Sequence, residues 1–94
     1  MTKAELIIEI AKKTGIERVV VEATVEAFME RIKDQIAKKE SVSLRGFGNF
    51  YAKKRAAKVA RDINNNKAYP IPEQYVPIFK PSPKFKDKVR KAIV

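Results

Sequence analysis

The feature that most restricts the fold is a segment in the second half of the chain, from Lys53 to about Tyr75, in which large apolar side chains are sparse. Its returning half contains Pro70 and Pro72, and Pro77 follows shortly after. Proline lacks the N–H group that a strand donates to its neighbour, so these prolines fit an edge strand whose donors face outward. The segment therefore predicts a long, two-stranded ribbon that is exposed to solvent.

The two halves of this ribbon meet at an asparagine-rich turn. Residues 53–61 have helical propensity, but they show neither capping residues nor an apolar stripe, so we reject a helix there. Asparagine tolerates positive φ and forms local side-chain hydrogen bonds, and the run from Asp62 to Asn66 therefore predicts the turn. We place the returning strand at about Lys67–Phe79.

A ribbon of this length leaves few residues to support the fold. About 70 residues remain outside it, which is near the lower limit for a lone core without disulfides or a metal. Two-fold self-association is the commonest way to cover surplus apolar surface, so we predict a homodimer. The alternative, in which the same residues fill the core of a monomer, fits this size less well. The residues expected to meet the partner are Phe28, Ile32, Ile36, Phe47, Phe50 and Phe79.

Two helices are predicted before the ribbon. Thr2 and Glu5 have capping-box spacing, which starts the first helix at Lys3, and Gly15 suits the position after its end. The second helix covers residues 18–39, where apolar side chains recur along one face. This apolar stripe consists of Val21, Val25, Phe28, Ile32 and Ile36.

The remaining segments predict a sheet and a third helix. Residues 41–45 alternate polar and apolar side chains as a half-buried strand does, residues 46–48 form a tight turn, and a second strand opens at Asn49. Ser82 and Pro83 suit the N-cap and first turn of a helix. The predicted fold class is α+β in a single domain, with a helical base (1–40), a three-stranded antiparallel sheet extended by the ribbon arm (41–80) and a short C-terminal helix (82–94).

Charge and composition restrict the function. Residues 1–50 hold nine basic and eight acidic side chains, whereas residues 51–94 hold twelve basic and three acidic ones. A balanced half beside a strongly cationic half indicates a scaffold joined to a surface that binds a polyanion. The chain has no histidine and no cysteine, which removes the commonest general base and the usual zinc ligands. We therefore expect no enzyme, metal or cofactor, and a reducing, intracellular setting.

The segment Gly46-Phe47-Gly48-Asn49-Phe50 matches a known pattern. The accompanying matches are Lys3, Arg55-Ala56, Arg61 and Val76-Pro77-Ile78-Phe79-Lys80-Pro81. Together they make essentially the whole chain resemble the bacterial HU and integration host factor family of histone-like DNA-bending proteins. The resemblance implies an intertwined homodimer whose two arms wrap the minor groove of double-stranded DNA. It also implies bending and compaction of DNA with low sequence specificity, by a cytoplasmic, nucleoid-associated protein.

The resemblance further implies which residues contact DNA. Positions on the sheet and its flanks match less closely than the arm residues Lys53, Arg55, Lys58 and Arg61 do. Lys3 and Glu26 are also expected to form a surface ion pair found in the family, the alternative being that both are solvated. Along the arm, Lys53, Arg55 and Arg61 share one parity and Lys54 and Lys58 share the other, and a narrow twisted ribbon can bring both sets near DNA. The full set is Lys3, Arg45, Lys53, Lys54, Arg55, Lys58, Arg61, Ile63, Lys67, Lys80 and Lys86.

The arm tip departs from the family pattern. Residues 60–66 stand where the family has Gly-Arg-Asn-Pro-x-Thr-Gly, so Ile63 replaces the proline that wedges between base pairs. Isoleucine is a known intercalating residue, and we expect it to act as the wedge; the alternative is a stray apolar side chain. Asp62 places a negative charge near phosphates and is expected to weaken the tip contacts. Asn66 is expected to adopt the left-handed conformation of the family's glycine.

Other functions remain open at this stage. The same charge suits RNA, although Tyr69 and Tyr75 are the only arm aromatics on which bases could stack. The segments 44–48 and 79–81 lean slightly toward a site-preferring DNA bender of the integration host factor type. Binding to a membrane surface is disfavoured, because a cationic ribbon is not an amphipathic membrane helix.

Overall fold

The computed structural model describes residues 1–62 and 64–93. It contains three helices and five strands in its described part, in an order that confirms the predicted α+β class. The elements are α1 (Lys3–Thr14), α2 (Arg18–Ala37), β1 (Val42–Leu44), β2 (Gly48–Arg55), β3 (Lys58–Asp62), β4 (Lys67–Ile71), β5 (Gln74–Pro81) and α3 (Pro83–Ile93). The chain divides into two compact units, Met1–Asp34 and Gln35–Val94.

The first helix begins and ends at the predicted capping residues. The Thr2 hydroxyl accepts a hydrogen bond from the Glu5 N–H at 3.2 Å. Gly15 has φ 75°, and its N–H donates to the Ala11 carbonyl at 2.9 Å. Local side-chain and backbone preferences therefore determine both ends of α1.

The second helix ends two residues before its predicted boundary. The Lys39 N–H donates to the Ile36 carbonyl at 2.9 Å, and the Glu40 N–H donates to the Gln35 carbonyl at 3.0 Å. These two bonds form a Schellman motif, in which the residue at the position of Lys39 is left-handed and usually glycine. Lys39 adopts that conformation with φ 64°.

The strands form two separate antiparallel sheets. One sheet has the order β1-β2-β5, and β3 pairs with β4 in a two-stranded ribbon. The predicted returning strand, about Lys67–Phe79, is interrupted at Pro72 and Glu73, and the outgoing strand is interrupted at Ala56 and Ala57. Pro70 and Pro77 lie within paired strands, so the missing N–H of a proline does not by itself account for the interruption at Pro72. The predicted arm is thus a ribbon joined to the sheet by an interruption in both strands.

Gly48 packs closely against the end of β5, just before the third helix begins. A Cβ on Gly48 would lie 2.5 Å from the Lys80 carbonyl oxygen and 2.6 Å from the Phe79 ring, so no side chain fits there. The third helix begins as predicted, since the Ser82 hydroxyl accepts from the Phe85 N–H at 3.2 Å. The Ser82 N–H also donates to the Phe47 carbonyl at 2.8 Å, which fixes the start of α3 beside the turn between β1 and β2.

Little of the described chain is buried. Among its apolar side chains only Ile7, at 3% exposure, and Val21, at 4%, are buried. A folded chain of this length ordinarily buries well over half of the surface that it exposes when unfolded. None of the helices within the described residues is long and apolar enough to cross a membrane.

Candidate nucleic-acid interface

The three-stranded sheet has one apolar face and one cationic face. Residues that oppose each other on neighbouring strands share a face, and successive residues along a strand alternate between faces. Phe50 opposes both Val42 and Phe79, so these three side chains lie on the apolar face. The other face, called the cationic face below, carries Ser43, Asn49, Tyr51, Lys53, Arg55, Gln74, Val76, Ile78 and Lys80.

Lys54 lies on the opposite side of the sheet from Lys53 and Arg55, as the alternation along a strand predicts. It opposes Tyr75, and the alternation therefore places it on the apolar side of the sheet. Its Nζ lies 2.9 Å from Glu73 Oε1. The structure thus brings Lys53 and Arg55 together on the cationic face and engages Lys54 in an ion pair on the other side.

The ribbon formed by β3 and β4 carries cations on both faces. Lys58 opposes Ile71, and Lys67 opposes Asp62, and by alternation all four residues share one face. Arg61 lies on the opposite face, and all three cations are exposed. A ribbon with positive charge on both sides can face the two phosphate walls of a groove at once.

The arm tip is organised by an acidic side chain. Asp62 Oδ1 accepts hydrogen bonds from the backbone N–H groups of Asn64, at 3.0 Å, and Asn65, at 3.4 Å, while Oδ2 accepts from Asn65 Nδ2 at 2.9 Å. Asn66 has φ 51°, which confirms its predicted left-handed conformation. Asp62 was expected to act only through its charge, although Asp at the start of a turn is a known signal for such hydrogen bonds. The proposed wedge, Ile63, lies outside the described residues.

A groove of about 460 Å³ brings together three cations that are far apart in sequence. Arg45 follows β1, Lys80 lies on β5 and Lys86 lies on α3, and all three line the groove. Its polar lining is completed by Ser43, Asn49 and Ser82. Cations combined with hydroxyl and amide groups are the usual ligands of backbone phosphates, which makes this groove a candidate phosphate site.

Aromatic rings form a cluster in the same unit. The ring centroids of Phe47 and Phe79 are 5.0 Å apart, those of Phe50 and Phe79 are 4.7 Å apart, and those of Phe47 and Phe85 are 5.4 Å apart. Three of the expected partner-contacting residues therefore meet within one chain. Phe85, which was not among the predicted contact residues, joins this cluster through its stacked contact with Phe47.

Apolar surface remains uncovered at the expected contact residues. Phe47 is 45% exposed despite its place in the cluster, and Phe28 on α2 is 49% exposed. Ile32 and Ile36, which continue the stripe along α2, are half-buried. Large apolar side chains left this exposed are typical of a surface that another chain covers.

Lys3 is paired within the helical unit. Its ammonium forms an ion pair with Glu26 on α2. The hydrogen bond to Glu26, followed by the attraction of the same carboxylate, raises the pKa of Lys3 above its ordinary value. The structure thus contains the surface pair that the resemblance implied, and not two solvated side chains.

Comparisons with known proteins agree on one family. Residues 1–90 match the sequence model described as bacterial DNA-binding protein. The DNA-binding protein HU of Thermotoga maritima is 40% identical over 90 residues, which cover 96% of this chain and 100% of that protein. HU of Clostridium pasteurianum is 38% identical over 91 residues, with 97% and 100% coverage. The Anabaena HU–DNA cocrystal structure superposes with a TM-score of 0.89 at 31% identity, covering 95% of this chain and 97% of that one.

Proposed function

Because this chain belongs to the family of bacterial DNA-binding proteins that includes HU, and is a histone-like architectural DNA-binding protein, we propose that it grips the minor groove of duplex DNA with a pair of cationic arms and bends it. The observation that carries this proposal is the separation of charge in the second unit. Lys53, Arg55 and Lys80 share one face of the sheet, while the phenylalanine rings occupy the other side.

The arms supply contacts to the groove. The ribbon of β3 and β4 is narrow and has Lys58 and Lys67 on one face and Arg61 on the other. Minor-groove edges distinguish A·T from G·C pairs but little else, so a protein that binds there has low sequence specificity. Insertion of Ile63 between base pairs would unstack one step and kink the duplex.

The groove lined by Arg45, Lys80 and Lys86 supplies contacts to the flanks. Three cations at one place favour phosphates over bases, and they hold the outer parts of a bent duplex against the protein. Bending costs free energy that such additional contacts offset. Together the arm and the flanking groove account for compaction of DNA in the nucleoid.

A homodimer provides the second arm. The exposed rings of Phe28 and Phe47 and the small buried core favour burial against a second copy of the chain. The complete proposed contact set is Phe28, Ile32, Ile36, Phe47, Phe50 and Phe79. A two-fold arrangement places two equal arms on one duplex, which doubles the number of phosphates neutralised.

Binding to RNA is the main competing function. Stacking of bases on aromatic side chains is the usual basis for recognition of single-stranded RNA. Tyr75 has a lysine ammonium over one side of its ring, which leaves Tyr69 as the less obstructed of the two predicted candidates. The arrangement therefore favours duplex DNA.

Salt-dependent binding to duplexes tests the proposal. Linear, nicked and cruciform DNA, a random-sequence duplex, a selected site and duplex RNA are compared by gel shift, with the mass of the free protein measured by sedimentation. We expect a dimer whose affinity for DNA falls steeply with salt, exceeds that for RNA and varies little with sequence. Preferential binding to RNA, or a monomer with exposed apolar faces, would overturn the proposal. Strong preference for the selected site would identify a protein of the integration host factor type.

A further inference from the structure

The end of α2 holds a lysine in a backbone conformation that glycine ordinarily takes. Lys39 occupies the left-handed position of the Schellman motif with φ 64°. An L-residue with a Cβ pays a steric cost in this conformation that glycine avoids. A contact made by the lysine side chain would offset that cost.

The side chain of Lys39 does make such a contact. Its Nζ lies 4.2 Å from the centroid of the Tyr75 ring, within the range of a cation–π interaction. Tyr75 is the second residue of β5 and opposes Lys54, which is itself paired with Glu73. These contacts lie on the side of the sheet away from the cationic face, so they leave that face free to bind DNA.

The contact is next to the place where the arm joins the sheet. No strand is shared between the two-stranded ribbon, formed by β3 and β4, and the three-stranded sheet, formed by β1, β2 and β5. The interruption at Pro72 and Glu73 lies immediately before β5, so the ladder alone does not determine the direction of the arm.

We propose that Lys39 is a positioning residue, whose ammonium stacks on Tyr75, ties the end of α2 to the last paired residues of the sheet before the interruption and thereby narrows the range of directions in which the arm leaves the sheet. This inference rests on the proposed function only in its effect on DNA binding. An arm that is already directed loses less conformational freedom when it enters a groove, and the protein therefore binds more tightly.

Two substitutions separate this role from a contribution to stability. Lys39→Gly removes the cation and relieves the left-handed backbone, so the melting temperature should not fall. Tyr75→Leu removes the ring and retains apolar bulk. Each should weaken binding to a linear duplex about threefold, as expected for loss of an exposed cation–π contact. The double variant should show no further loss, because both changes remove the same contact. Lys38→Ala, which removes an equal charge beside Lys39, is the matched control and should bind more tightly than Lys39→Gly.

Two further readouts distinguish positioning from direct contact with DNA. A lysine bound to phosphate contributes about 0.9 to the slope of log affinity against log salt, whereas the positioning role predicts an unchanged slope for Lys39→Gly. The chain has no cysteine, so spin labels attached through Asn64→Cys and Lys84→Cys report the spread of arm directions without DNA. Labelled protein is diluted with unlabelled protein so that distances within one chain dominate.

Broader distance distributions in both Lys39→Gly and Tyr75→Leu, with equal losses of affinity, are the expected result. Unchanged distributions would overturn the proposal, as would a slope that falls by about 0.9 per chain for Lys39→Gly. If the wild-type protein bound no duplex, the proposed function would fail while the distance measurement would still decide the role of Lys39.

Discussion

Neutralisation of three arm cations should change the salt dependence of DNA binding by a calculable amount. Arg55 lies on the cationic face, and Lys58 and Arg61 lie on opposite faces of the ribbon. Each phosphate neutralised contributes about 0.9 to the slope of log affinity against log salt. The variant with all three residues changed to Gln should therefore lose about 2.7 from the slope per chain if all three contact phosphates.

This change in slope has a direct consequence for affinity. Between 50 and 200 mM salt, the ratio of wild-type to variant affinity should shrink about 40-fold per chain. Gel shifts on one linear duplex across this range measure both slopes. A matched variant with Lys12, Lys13 and Arg31 changed to Gln loses the same charge from the helical unit and should retain most of the slope.

Two outcomes would contradict this arrangement of the arm. Equal slopes for the arm variant and the helical variant would mean that net charge, and not the arm, determines affinity. Loss of only two contacts per chain, about 1.8 in the slope, would mean that DNA meets Arg55 and a single face of the ribbon. Circular dichroism and sedimentation should show that the arm variant folds and associates like the wild type, because these residues belong to no core.

Three further changes have distinct expected results. Gly48→Ala should lower the free energy of unfolding by about 3 kcal/mol, since the new Cβ meets a backbone oxygen at 2.5 Å. Gly46 has φ 83° with open space around it, so Gly46→Ala should lower the free energy of unfolding by about 1 kcal/mol. Equal losses in urea titrations would contradict the packing argument. The raised pKa of Lys3 means that the stabilisation from its pair with Glu26 is fully present below the ordinary lysine pKa and is lost as pH rises through the raised value. The melting temperatures of wild type and Glu26→Gln should therefore differ at neutral pH and converge as pH becomes strongly alkaline. Ile63→Ala should reduce the bend angle seen by fluorescence transfer more than it reduces affinity for nicked DNA, and an unchanged bend would exclude the wedge.

The sequence predicts the elements whose ends depend on local chemistry. Thr2, Gly15 and Ser82 mark helix ends because each satisfies or reverses the backbone within a few residues, with no help from distant contacts. The end of α2 was placed too late, since the Schellman motif there uses Lys39 in place of the glycine that signals it. The interruption of the ribbon was missed, because Pro72 fits an edge strand on sequence grounds and only the pairing shows where the ladder stops.

The candidate site was predictable in composition and in part in arrangement. Strand alternation predicted that Lys54 lies on the other side from Lys53 and Arg55, whereas its ion pair with Glu73 is seen only in the structure. The shared groove of Arg45, Lys80 and Lys86 arises from three elements distant in sequence, and resemblance to a family, not spacing, identified those residues. The role of Asp62 at the tip required hydrogen-bond geometry that charge alone does not reveal.

Cleavage of DNA from the arm tip tests directly whether the arm lies in the minor groove. An iron chelate attached through Asn64→Cys generates radicals that cut the deoxyribose nearest to the tip, and the offset between cuts on the two strands reports the groove in which the chelate lies. The account predicts paired cuts offset toward the 3′ side, as produced from the minor groove, at two places set by the two arms of a dimer. Cuts offset toward the 5′ side, or cleavage no stronger than that by free chelate, would contradict it.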